Sequence, residues 1–146
     1  MQEKSSVFTE YPRPQLRRES FFNLNGKWLA NESEIIVPFP PESQASEYNG
    51  KLCSTYEYKK EFELPDDFVA ALKNQNQKNR VILHFGAVDQ KATVFVNDIF
   101  VGSHLGGYLP FSFDITDYLK NYSEKQKLEW RRKRYEYKAR LDEMTL

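Results

Sequence analysis

Between Ser54 and Leu64 the chain alternates with a period of two. Tyr56, Tyr58, Lys60 and Phe62 fall on one side, and Thr55, Glu57, Lys59, Glu61 and Glu63 on the other. Successive side chains of a strand point to opposite faces, so the stretch predicts a β-strand with one apolar and one wet face. Lys60 interrupts the apolar side, which predicts a strand at a sheet edge or one whose face is only partly buried. At 146 residues the chain has the size of one domain, and a core of that size needs neither disulfide nor metal.

The same logic finds further short strands. Glu34–Val37 is one, stopped by Pro38, Pro40 and Pro41, and residues 38–52 read as a long loop. Pro65-Asp66-Asp67 opens a short helical turn through Leu72, with proline and acids where a helix N-terminus favours them. Arg80–Phe85 and Lys91–Val96 read as strands, and Asn97-Asp98 turns the second into Ile99–Gly102 as a hairpin. Pro110–Ile115 gives one more strand, and Thr116–Lys120 a capped single turn. The 11 Phe, 9 Tyr and 2 Trp suit pleated, half-buried surfaces. Many short strands and turn-rich spacers argue an all-β sandwich or jelly roll.

Composition removes several functional classes. Lys plus Arg equals Asp plus Glu at 21 each, so net charge gives no argument for nucleic-acid or membrane binding. No apolar run reaches the roughly 18 residues of a membrane span, and Met1–Ser6 lacks the apolar stretch of a signal peptide. The expectation is a soluble cytoplasmic protein. Cys53 stands alone as a small filler, and His84 and His104 are too isolated for a metal site, so no cofactor or metal is expected.

Ordered motifs carry a resemblance. Pro12-Arg13-Pro14-Gln15, Leu24-Asn25-Gly26-Lys27-Trp28, Ile36–Ser43 and Tyr58–Phe62 with Leu64-Pro65 precede the long stretch Leu83–Leu119. That stretch includes Val94-Phe95-Val96-Asn97, His104-Leu105-Gly106-Gly107-Tyr108 and Thr116-Asp117-Tyr118-Leu119. Together these segments resemble the N-terminal sugar-binding-type domain of family 2 glycoside hydrolases, the β-galactosidases, β-glucuronidases and β-mannosidases. The resemblance implies a galactose-binding-like jelly-roll sandwich over residues 1–120. It implies a non-catalytic scaffold that packs on, and helps wall, a TIM-barrel domain that hydrolyses O-glycosidic bonds. His104, Gly106, Gly107 and Tyr108 then become candidate residues of the substrate-pocket rim. Gly106 occupies the place where some β-galactosidases carry an acid that touches substrate, and Asp98 stands where the family usually has glycine.

No catalytic residue is expected in this chain. Family chemistry needs two carboxylates about 5 Å apart on a barrel of about 250 residues. The implied partners are that barrel and an immunoglobulin-like domain of a parent enzyme, from which this chain reads as a fragment or truncated product.

The resemblance ends near Lys120. Residues 121–146 read as a divergent charged tail forming a short helix, capped by Ser123 and rich in Glu, Lys, Arg and Leu. With that tail helical, the sandwich lacks a strand, and an apolar seam predicts marginal stability or self-association. Two alternatives stand beside the scaffold. One is a free-standing carbohydrate-binding module using surplus aromatics, which exposed Trp or Tyr would support and a buried Trp28, Tyr56 and Tyr58 would oppose. The other is an interaction module acting through Trp130, Arg131–Arg134, Tyr135 and Tyr137, although nucleic acid is not the expected partner.

Overall fold

The computed structural model describes residues 21–88, 90–122 and 124–133. Eight strands form in chain order: β1 Gly26–Ala30, β2 Ser33–Val37, β3 Thr55–Phe62, β4 Ile82–Phe85, β5 Lys91–Val96, β6 Ile99–Leu105, β7 Phe111–Asp114 and β8 Gln126–Lys133. The one α-helix among the described residues, α1 Asp66–Lys73, follows Pro65. Six strands build one antiparallel sheet in the order β2-β1-β3-β8-β5-β6, and β4 and β7 pair as a second, smaller sheet. The chain is an all-β sandwich with one short helix, as the turn-rich strand pattern predicts.

The core lies between the two sheets. Trp28, Ala30 and Ile35 from β1 and β2, Tyr56, Tyr58 and Phe62 from β3, Val94 and Val96 from β5, and Leu128 and Trp130 from β8 are buried together. Phe68, Val69 and Leu72 of α1 are partly buried against this core. At the centre the Trp130 ring stacks on Tyr58 at 3.8 Å between centroids and meets Phe85 of β4 edge-on at 5.9 Å. Such aromatic pairs contribute about 0.5–1.5 kcal/mol beyond their burial. The two sheets meet closely at Gly102 of β6, where an added Cβ would stand 2.5 Å from the Phe113 ring of β7.

Three expectations need correction. Residues 126–133 are not helical: they form β8, the strand between β3 and β5. Tertiary pairing overrides helix propensity here, because Leu128 and Trp130 fill the core while Lys127, Glu129 and Arg131 stand on the other face. The rest of the tail, 134–146, lies outside the described residues. The apolar seam expected of an unfinished sandwich is therefore filled by β8. Nor is β3 an edge strand, since β1 and β8 flank it. Lys60 is accommodated inside because its ammonium donates to the carbonyls of Leu24 (3.3 Å) and Lys27 (3.2 Å) and lies 5.7 Å from the Trp28 ring centroid. Burial pushes its pKa below the usual lysine value.

Two hairpins turn on paired residues of positive φ, as two-residue mirror-image turns require. Asn97 (φ 50°) and Asp98 (φ 67°) join β5 to β6, so aspartate adopts here the conformation that glycine takes more readily. Asn31 (φ 46°) and Glu32 (φ 67°) join β1 to β2. The Asn31 side chain then reaches β3, accepting from the Glu57 N–H at 2.8 Å and donating to the Thr55 carbonyl at 3.3 Å.

The Asn97 turn is also tied to the start of β8. Gln126 is fully buried, and its Oε1 accepts from Asn97 Nδ2 (2.8 Å) and the Lys120 N–H (2.9 Å). Its Nε2 donates to the carbonyls of Asn121 (3.3 Å) and Glu124 (3.1 Å). Asn97 completes the junction by donating to the Tyr118 carbonyl at 2.9 Å and accepting from the Lys127 N–H at 2.9 Å. A buried polar pair is tolerated because every partner is supplied.

Candidate functional site

Cross-strand register builds one end of the sandwich. Ala92 of β5 pairs with His104 of β6 on one side and Arg132 of β8 on the other, and Arg132 pairs with Tyr56 of β3. Tyr56, Arg132, Ala92 and His104 thus form one row across the large sheet. The loop 106–110, which leads from β6 to β7, begins beside that row.

His104 sits at the penultimate position of β6, and its ring stacks on Phe111 of β7 at 4.3 Å and 13°. Its Nδ1 is buried and meets no hydrogen-bond partner among the described residues. Phe111 stacks in turn on Phe85 at 4.8 Å, which joins the imidazole to the central Trp130–Tyr58 stack. Gly106 has φ +123°, a region closed to most side chains, and its N–H donates to the Gln90 carbonyl at 2.7 Å. A Cβ at Gly106 would lie 3.8 Å from the His104 ring, so the backbone angle rather than space calls for glycine. The fold brings His104 and Gly106 together. Gly107 is half-buried, and Tyr108 projects outward, 97% exposed.

Arg132 went unrecognised as part of this end because it sits inside a basic run. Its guanidinium lies 5.9 Å from the Tyr56 ring centroid. Burial raises the Tyr58 phenol above its ordinary value, and a hydrogen bond from Arg132 partly opposes that rise. The Tyr56 hydroxyl accepts from the Cys53 N–H at 2.8 Å, pinning the loop before β3. Cys53 itself is exposed, its thiol 3.3 Å from the Lys51 carbonyl. Among the described residues, no three His, Cys, Asp or Glu side chains are grouped to hold a metal ion.

The basic run does not present a patch with aromatic platforms over its described residues. Trp130 and Arg132 are buried on the core face, while Arg131 stands on the opposite face, 3.1 Å from Glu57 and 4.8 Å from the Phe95 ring centroid. Arg134, Tyr135 and Tyr137 lie outside the described residues. Among the described residues, no helix is long and apolar enough to cross a membrane.

A six-stranded sheet capped by a two-stranded one, with its aromatics in the core, defines a galactose-binding-like β-sandwich. The chain belongs to the family described as glycosyl hydrolase 2 galactose-binding domain-like, whose model matches residues 41–144. Curated relatives agree. The chain is 56% identical over 41 residues to a β-galactosidase of Thermoanaerobacter pseudethanolicus, a match covering 28% of this chain and 6% of that enzyme. It is 35% identical over 63 residues to a β-glucuronidase of Formosa agariphila, covering 43% of this chain and again 6% of the enzyme.

Among solved structures, Bifidobacterium dentium β-glucuronidase matches with a TM-score of 0.59 and 26% identity, over 75% of this chain and 19% of that one. Bacteroides uniformis β-glucuronidase matches with a TM-score of 0.59 and 19% identity, over 78% of this chain and 14% of that one. The chain thus corresponds to a small part of multidomain family 2 enzymes.

Proposed function

We propose that this sandwich is the non-catalytic N-terminal domain of a family 2 glycoside hydrolase. In this role it packs on a catalytic barrel and an immunoglobulin-like domain, and His104, Gly106, Gly107 and Tyr108 contribute to the rim of the substrate pocket. The observation that carries the proposal is where the aromatic residues go. Trp28 (5% exposed), Tyr56, Tyr58 and Trp130 hold the two sheets together, and the family match takes in Tyr56, Tyr58 and Trp130. A scaffold needs this rigid core and a shaped loop, and it needs no acid–base pair of its own.

The test is complementation. The purified chain is mixed with a family 2 β-galactosidase from which the matching segment has been deleted. Restored hydrolysis of a nitrophenyl β-galactoside supports the scaffold role. A stable deletion variant that the added chain neither binds nor activates refutes it.

A second reading, a free-standing carbohydrate-binding module, has one specific observation in its favour: the exposed ring of Tyr108. Sugar faces stack on such rings, but Trp28, Tyr56 and Tyr58 are in the core and cannot extend a platform. Retardation of the chain on glycan-containing gels that disappears in Tyr108→Ala would favour this reading over the scaffold.

A further inference from the structure

Asparagine precedes glycine at two places, Asn25-Gly26 and Asn49-Gly50, and everywhere else it precedes a larger residue. A side-chain amide is attacked most readily by the backbone nitrogen of a following glycine, because no Cβ hinders the approach. The fold treats the two pairs differently.

Gly26 opens β1 and pairs with Val37 of β2. Asn25 before it is half-buried, and its N–H donates to Asn23 Oδ1 at 2.7 Å. Ring closure there requires β1 to open first. Asn49-Gly50 instead lies outside helix and strand, in the loop between the short turn Gln44–Ser46 and β3. Asn49 is exposed. Among the described residues, neither its carboxamide nor the Gly50 N–H has a hydrogen-bond partner. The fold also demands glycine at this place, since a Cβ on Gly50 would collide with the Tyr48 ring. A larger residue would slow the attack, and Tyr48 leaves no room for one.

We propose that Asn49 is a site of spontaneous modification, deamidated through a succinimide with water as the co-reactant. The Gly50 nitrogen bonds to Asn49 Cγ as the Cγ–Nδ2 bond breaks, and the side-chain nitrogen leaves as ammonia with the Gly50 amide proton. Water then opens the ring. Addition at Cγ gives aspartate, and addition at the main-chain carbonyl gives isoaspartate. The second product lengthens the backbone between Tyr48 and Lys51, where the Tyr48 hydroxyl donates to the Lys51 carbonyl at 3.0 Å. Tyr48 meets Tyr56 edge-on at 5.9 Å, so the altered loop is the one that rests on the Tyr56 end of the cross-strand row. Either product adds one negative charge to a chain whose formal net charge is zero. The chemistry is independent of the scaffold role, and a failed complementation assay leaves its test untouched.

The test is a time course on the purified 146-residue chain at mildly alkaline pH, native and in urea, followed by isoelectric focusing and peptide mass mapping. The native chain should accumulate an acidic species whose one-dalton gain and isoaspartate map to Asn49, at least about tenfold faster than at Asn25. In urea, with β1 gone, the two pairs should react at similar rates. Asn49→Gln changes an exposed side chain without a partner, and it should fold as wild type and lack the acidic species over the same period. A native chain whose Asn49 stays intact while the unfolded chain loses its amide overturns the inference. So does native deamidation as fast at Asn25 as at Asn49, or an acidic species that Asn49→Gln keeps.

Discussion

Replacing Gln126 by Met keeps the length of the side chain and removes four hydrogen bonds from the junction of β5, β8 and the turn at Tyr118. The parts of this loss differ in weight. Lys120, Asn121 and Glu124 are exposed residues, so water can reach their freed backbone groups and limit each loss to about 0.5–1.5 kcal/mol. Asn97 is buried, and one Nδ2 hydrogen would be left without an acceptor at a cost of about 1–3 kcal/mol. The methionine returns part of this through the transfer of its apolar atoms. The expected net destabilisation is about 2–4 kcal/mol, a fall in melting temperature of roughly 8–12 °C for a domain of this size. Urea unfolding followed by tryptophan fluorescence measures it directly, because Trp28 and Trp130 both report the core. Double substitution with Asn97→Ala should cost clearly less than the sum of the single changes, since both act on one network. A loss below about 0.5 kcal/mol for Gln126→Met, or strict additivity, would refute the network as a determinant of stability.

Other expectations follow from single contacts. Gly102→Ala drives a methyl group into the Phe113 ring and should destabilise by about 1–3 kcal/mol, read as a lower urea midpoint. Asp98→Gly relieves a positive φ and gives up an exposed ion pair to Lys127 at 3.0 Å. The strain exceeds the value of a surface pair, so the variant should gain roughly 0.5 kcal/mol by the same assay. The Asp114 carboxylate is held below its ordinary value of 3.8, first by the Thr116 hydroxyl, then by the Thr116 N–H. Its contribution to stability is present above its unfolded pKa and lost as pH falls through the depressed folded value. Asp114→Asn should therefore lower the melting temperature most near neutrality, and its profile should converge with that of the wild type as pH falls below about 4.

Much of the fold was legible because it obeys simple periodicities. The Tyr56–Phe62 alternation, the hairpin at Asn97-Asp98 and the proline-started α1 all stand where local sequence puts them. β8 was hidden for a physical reason. Two of its four core-facing positions, Gln126 and Arg132, are polar and buried by hydrogen bonding and by contact with Tyr56, which erases the apolar side of the alternation. Its outward Lys127, Glu129 and Arg131 meanwhile mimic a solvated helix. The β1–β2 hairpin escaped notice because Glu32 occupies a positive-φ position that sequence reading reserves for glycine or asparagine. At the candidate site the glycine pair and His104 were readable from the loop, whereas the cross-strand row joining His104 to Arg132 depends on register. No linear spacing encodes it.

The central claim is that this domain positions catalytic machinery without containing it. Incubation of the purified 146-residue chain with a panel of nitrophenyl β-glycosides tests that most directly. The account predicts no nitrophenol release above the uncatalysed rate for any sugar. Turnover that co-purifies with the chain and persists after repurification would contradict it and would place an acid–base pair within the sandwich.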